Sequence, residues 1–216
     1  MPRSHVQKAL DALAFPLRAL FLFENDRLGL SSLQSERFDY CEREVRGTCL
    51  DVGCGRNNRF ISRNLGGRGK GIDVFAYEGL TSDQILEDPT SFPFFDATFD
   101  TVTFIANLNH IIPEKRDAEL AEAFRCLRRG GNIILTMGHP IAEVLSHFAV
   151  RLHDACWGTK YDVDSIRGME KEEKYYIKEE EIRERLARAG FVKCEKKRFW
   201  TQWGLNAMYI AWKEKE

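Results

Sequence analysis

The stretch that most constrains this chain is LDVGCGRNNRF, Leu50–Phe60. Leu50 and Val52 close an apolar strand, and Gly53 and Gly55 follow at once. A backbone without a Cβ at those places can turn sharply and lie against a ligand that a side chain would block. Asn57 and Asn58 then open a helical pattern with Phe60, Ile61 and Leu65 on one side. Strand, glycine turn and helix N-terminus together offer free N–H groups and the positive end of a dipole to an anionic ligand. This is the layout of a nucleotide-type site.

The dinucleotide fingerprint wants a third glycine three residues after the second, and Asn58 stands there instead. What the text carries is an acid two residues before the first glycine, Asp51, in the order Asp-x-Gly-x-Gly. This resembles the first motif of the class I methyltransferases that use S-adenosyl-L-methionine. Lys70-Gly71-Ile72-Asp73-Val74 is a short apolar strand ending in a carboxylate, an acid that both nucleotide-binding families place against a ribose. Later text separates them. Asp88-Pro89-Thr90-Ser91-Phe92-Pro93-Phe94, followed by Phe95–Val102, resembles the methyltransferase loop and the Phe-Asp opening of its fourth strand. AEAFRCLRRGGNIIL, Ala121–Leu135, resembles the family's helix, Gly-Gly turn and fifth strand. The four motifs run in order from Thr48 to Gly138.

The resemblance implies an α/β, Rossmann-like three-layer sandwich around a mostly parallel, seven-stranded sheet with a C-terminal antiparallel hairpin. Phe191–Phe199 and Leu205–Trp212, joined through Trp200–Gly204, fit that hairpin. It also implies a cofactor site. Asp51, Gly53, Cys54 and Gly55 would hold the methionine end, with Asn57 in place of a third glycine, since Asn tolerates a left-handed backbone. Asp73 would take the ribose, with Val74 and Phe75 against the adenine. Asp88 with Pro89 would face the adenine amino group, and Ala106 and Asn107 would run along the sulfonium. Arg56 and Arg59 have two open readings, pairing with the cofactor carboxylate or standing in solvent.

Transfer from a sulfonium needs alignment and exclusion of water more than covalent help, so a base is required only where the acceptor must lose a proton. His110 and His139, after the expected fourth and fifth strands, are the candidates; a structural role for each is the alternative. Phe21, Trp157, Tyr175 and Tyr176 are the expected acceptor contacts, because pockets of this kind are mostly apolar with few polar groups.

Composition narrows the partners. The chain has 216 residues, enough for one sizeable α/β core and too few for two domains with linkers. Formal charge is −1, so no long-range basic field draws it to nucleic acid. The Asn/Asp-Pro-Pro-aromatic signature of adenine methylation is missing too, with Ala106–His110 in its place. A small-molecule acceptor leads; a protein or RNA acceptor, or cofactor binding without turnover, stays open. Six scattered cysteines without a Cys-x-x-Cys pair, and no signal peptide, suit a reducing cytoplasm and speak against metal or disulfide frameworks.

The expected organisation is one domain over residues 1–216, with a helical N-terminal segment over 1–46 and a substrate cap over 141–176. Val6–Phe23 is apolar at helical spacing, broken at Pro16, and too short and charged for a membrane span. Packing on the core is one reading, and lying on a membrane surface or covering the acceptor pocket is the other. Only fourteen residues separate Asp73 from Asp88, too few for an ordinary crossover. The second helix is therefore expected to be shortened or absent, with a short third strand near Gln84–Leu86. Pro113–Leu127 reads as a helix stopped by Gly130-Gly131, and Glu179–Ala189 as a helix ended by Gly190.

Overall fold

The structure, a computed structural model, describes residues 3–21, 25–140 and 176–215, apart from the side chains of Leu20 and Phe21. Six strands form one sheet: β1 (Cys49–Val52), β2 (Gly69–Ile72), β3 (Phe99–Ile105), β4 (Leu127–Gly138), β5 (Val192–Arg198) and β6 (Asn206–Trp212). Their order is β2-β1-β3-β4-β6-β5. The first four are parallel, and β6 runs antiparallel between β4 and β5. The hairpin therefore sits where the sequence places it.

The helices are α1 (His5–Leu13), α2 (Phe15–Phe21), α3 (Leu33–Glu42), α4 (Pro113–Cys126) and α5 (Glu179–Arg188). They lie on both faces of the sheet, and the strands alternate accordingly. Ile133, Leu135, Tyr209 and Ala211 pack with Leu120, Ala123, Ile182 and Leu186 of α4 and α5. Ile134, Met208 and Ile210 pack on the opposite face with Cys41 of α3 and with Phe60, Ile61 and Leu65. This is a Rossmann-like arrangement, with central strands buried on both sides as parallel sheets require. Cys41, Cys49, Cys54 and Cys126 are buried and free, as small apolar side chains.

Three expectations need correction. The described residues give six strands, not seven. The expected third strand is reduced to one parallel bridge, Asp73 with Ile85, because the short segment after β2 spends its length on turns and a 3-10 turn at Ser82–Gln84. The helix expected after Gly55 is broken into a 3-10 turn at Arg56–Asn58 and a π-turn at Phe60–Asn64. The cause is local: Asn57 and Asn58 both hold positive φ, at 58° and 44°, which interrupts a right-handed helix. Finally, α4 ends at Cys126 and runs straight into β4, so Gly130-Gly131 shapes a bulge within the strand, not the helix stop. A Cβ on Gly131 would stand 2.8 Å from the Asp100 carbonyl oxygen.

The N-terminal helices are tied down by a buried polar network. Arg18 is fully buried. It donates through Nε to the Ser31 carbonyl (2.6 Å), through Nη1 to the Asp11 carbonyl (2.7 Å), and through Nη2 to Glu36 Oε2 (2.7 Å). Gln202 Nε2 donates to the same Glu36 oxygen, and Asn206 Nδ2 to Gln202 Oε1, each at 2.7 Å. The chain of bonds thus runs from α2 through α3 to the start of β6. No helix among the described residues is long and apolar enough to cross a membrane. Arg18→Ala would leave Asp11 and Glu36 buried without their cation, and should destabilise the fold by about 3–5 kcal/mol. Urea denaturation of the two proteins measures this, and a loss below about 1 kcal/mol would mean the network is not a structural tie.

Candidate cofactor site

The carboxyl ends of β1, β2 and β3 open onto a cleft of about 660 Å³. The chain leaves β1 for β2 on one side and returns to β3 on the other, so the cleft lies at the switch point where open α/β sheets bind ligands. Parallel register sets Val52 beside Ile72 and Asp51 beside Thr103. The residues that follow the three strands are therefore at one level.

At the end of β1 the backbone turns through Gly53 (φ 75°) and Gly55 (φ 63°). Gly53 has a steric reason as well, since a Cβ there would stand 2.2 Å from the Asn107 side-chain carbon. Asn107 folds over the turn and donates its amide to the Val52 carbonyl at 3.1 Å. At the end of β2, the Asp73 carboxylate accepts from the Gly55 N–H and the Phe75 N–H, both at 3.0 Å. With roughly four lone-pair positions, a carboxylate so used can still accept from hydroxyls in the cleft.

Asp51 lies deeper, 2% exposed. Thr103 Oγ1 donates to its Oδ1 at 2.6 Å. Burial pushes its carboxyl up to about 7, against the pull of the Thr103 hydroxyl and with a further push from Asp73. A carboxyl in this state lacks a cation, and a positively charged ligand group beside it would relieve the cost of ionisation.

Of the expected cofactor contacts, Asp51, Gly53, Cys54, Gly55, Asp73, Val74, Pro89 and Ala106 all line the cleft, with Phe75 and Asn107. Ala106 holds φ 50° and donates its N–H to Thr136 Oγ1 at 2.8 Å. Asp88 does not join them. Its exposed carboxylate accepts from Thr90 N–H (2.9 Å) and Thr90 Oγ1 (2.7 Å), bonds that hold its pKa down, so it is occupied in capping its own turn. Glu87 and Leu86 line the cleft in its stead. His110 reaches the cleft, whereas His139 is exposed and absent from the lining. Arg56 and Arg59 both line it. Tyr176 is half-buried away from the lining; Trp157, Tyr175 and the Phe21 side chain lie outside the described residues.

Sequence reasoning missed two groups. Gln34, Arg37 and Phe38 reach the cleft from α3, because the fold lays that helix beside the glycine turn. Lys115 and Glu119 reach it from α4, where their i, i+4 spacing puts them on one face. Glu119 is 4% exposed, and burial pushes its carboxyl up to about 8. The only sequence signal was that helical spacing.

Residues 50–135 match the model of a family described as a methyltransferase domain. With the glycine turn, Asp73 and the terminal hairpin in place, this decides the matter. Residues 50–135 are a methyltransferase domain. Its class I motifs are those that take S-adenosyl-L-methionine as cofactor, and the cleft fits that molecule: an acid at the end of β2, a side-chain-free turn, and a buried carboxyl that a cationic ammonium would relieve. A S-adenosylmethionine-dependent methyltransferase from Thermotoga maritima superposes with TM-score 0.60 at 13% identity, over 97% of this chain and 99% of that one. One from Archaeoglobus fulgidus gives 0.58 at 13%, over 84% and 95%. The [4+2]-cyclase SpnF gives 0.56 at 16%, over 98% and 96%. At these identities the likeness is one of fold. No curated protein matches the chain.

The methyltransferase domain should show the Asp51 carboxyl in its stability. Folded, Asp51 keeps its proton to about pH 7, against 3.8 for an unburied carboxyl. The folded state thus holds the extra proton in that window, and the Asp51 contribution falls as pH rises through it. Asp51→Asn keeps an acceptor for Thr103 and removes the titration. The variant should match wild type near pH 4 and exceed it by a few kcal/mol at pH 8. A constant difference between the two urea-denaturation profiles would show that Asp51 ionises normally.

Proposed function

We propose that the chain is an S-adenosyl-L-methionine-dependent methyltransferase acting on a small, apolar or aromatic molecule by in-line methyl transfer. The observation that carries the reading is the triad of strand ends: the Gly53–Gly55 turn, Asp73 one strand away, and Asp51 buried beneath them in a single cleft. Asp73 accepts from the ribose hydroxyls. The glycine turn receives the methionine chain, and Asp51 meets its ammonium as a carboxylate. Val74 and Phe75 lie against the adenine with Pro89, and Ala106 and Asn107 pass along the sulfonium. When bound, the cofactor supplies an activated methyl group; the chain's residues align the acceptor and keep water out. His110, at the cleft wall, is placed to take a proton from acceptors that must lose one.

The chain is read as one domain over residues 1–216, with 1–46 as an N-terminal helical segment and 141–176 as the acceptor cap. The apolar wall formed by Phe38, Ile105 and Ile111 suits a small acceptor. A macromolecular acceptor is disfavoured by the balanced charge. One observation favours a second reading, cofactor binding without methyl transfer. The superposable SpnF is a cyclase by name, so this fold does not by itself dictate the chemistry.

Titration should give micromolar binding of S-adenosylmethionine and S-adenosylhomocysteine, roughly −8 kcal/mol; no heat at millimolar ligand would refute the proposal. Asp73→Ala should weaken both by about 1.5–3 kcal/mol, because charge-assisted bonds disappear. Unchanged affinity would move the ribose elsewhere. Production of S-adenosylhomocysteine from a library of apolar and aromatic acceptors separates methyl transfer from binding alone.

A further inference from the structure

Glu119 has no place in the family motifs quoted above, yet it is the most enclosed acid on the α4 wall of the cleft. It is 4% exposed and lines the cleft. Among the described residues no hydrogen bond or ion pair meets its carboxyl. A buried polar side chain is ordinarily satisfied, so one that faces a ligand cleft without a partner awaits one. The position narrows what the partner is. Asp73 marks the ribose, and its backbone is bridged to Ile85, so the base attached to that ribose lies toward Leu86–Pro89. Glu119 comes from the opposite wall to the same place, close enough to Asp88 for their charges to interact. Asp88 itself is spent on Thr90 and turned away from the cleft.

Resting on the cofactor reading above, we propose that Glu119 reads the adenine: its carbonyl oxygen accepts from the 6-amino group while its O–H donates to the ring nitrogen beside that group. Only the uncharged acid can do both, since a carboxylate would set its lone pairs against those of the ring nitrogen. The surroundings favour that form. Burial, against the pull of Lys115 one turn earlier on α4 and with a smaller push from Asp88, raises the carboxyl to about 8. Glu87 and His110 face the same space from the neighbouring loops. Arg116, one turn before Glu119 on the same buried face of α4, donates its Nε to the Ile111 carbonyl (2.8 Å) and pairs with Glu181 of α5 (3.6 Å), and its charge is not among those that shift Glu119. Asp88 was the residue expected from sequence for this task; Glu119 replaces it because α4 brings it into the cleft wall while the Asp88 loop closes on itself.

The test is calorimetric titration of S-adenosylhomocysteine and its analogue lacking the 6-amino group into wild type, Glu119→Gln and Glu119→Leu. Gln presents an N–H donor and a C=O acceptor in nearly the same shape, so it should keep wild-type affinity within about threefold. Leu should weaken S-adenosylhomocysteine by about tenfold, a loss of the size of one or two hydrogen bonds. Wild type and Gln should prefer the amino ligand by about tenfold, and Leu should prefer neither. Affinity of wild type should fall as pH rises past 8, and that of Glu119→Gln should not. Equal preference for the amino ligand in all three proteins would overturn the assignment, as would a pH profile that Gln leaves unchanged. Failure of wild type to bind S-adenosylhomocysteine at all would instead bring down the cofactor reading. Should Glu119→Leu fail to fold, the ligand preference and pH profile of Glu119→Gln still decide.

Discussion

The site depends first on the hydrogen bonds that converge on Asp73. Its carboxylate holds the N–H groups of Gly55 and Phe75, and its backbone exchanges bonds with the edge segment, donating to Gln84 and accepting from Leu86. One residue thus ties the glycine turn after β1, the loop after β2 and the reduced edge strand into a single rim. A charged acceptor makes these bonds roughly twice as strong as neutral ones. That strength lets a rim with one isolated bridge, instead of a full strand, keep its shape.

Three of the carboxyl groups that line the cleft differ in their partners. Asp73 takes two backbone N–H groups, Asp51 a single threonine hydroxyl, and Glu119 nothing from the described residues. Burial raises both Asp51 and Glu119. Environment, not residue type, therefore assigns the acids to different work: one suits a cation, another a base that can both give and accept a hydrogen bond.

The far side of the sheet is organised by Arg18. Its buried guanidinium draws α1, α2, the Ser31 loop and α3 toward Gln202 at the β5–β6 turn. Trp203 adds to this, donating its indole N–H to the Ala12 carbonyl at 2.8 Å and meeting Phe15 at 5.5 Å between ring centres. The N-terminal segment is therefore anchored to the hairpin, and α3 is held where it can put Gln34, Arg37 and Phe38 into the cleft.

Sequence alone determined the parts that follow from local chemistry. An apolar run marked β3 at Phe99–Ile105, and a proline marked the start of α4 at Pro113. Asp-x-Gly-x-Gly and the acid ending β2 located the cleft, because a backbone that must approach a ligand needs glycine wherever it is found. Tertiary structure decided what depends on which surfaces meet. Asp88 looked like the adenine contact, yet its carboxylate closed on Thr90; Glu119 carries no local signal beyond its helical spacing, yet the fold buries it in the cleft wall. The Gly130-Gly131 pair looked like a helix stop and instead bends β4, where Gly131 passes close to the Asp100 carbonyl. Such assignments rest on contacts between residues tens of positions apart, and no local pattern records them.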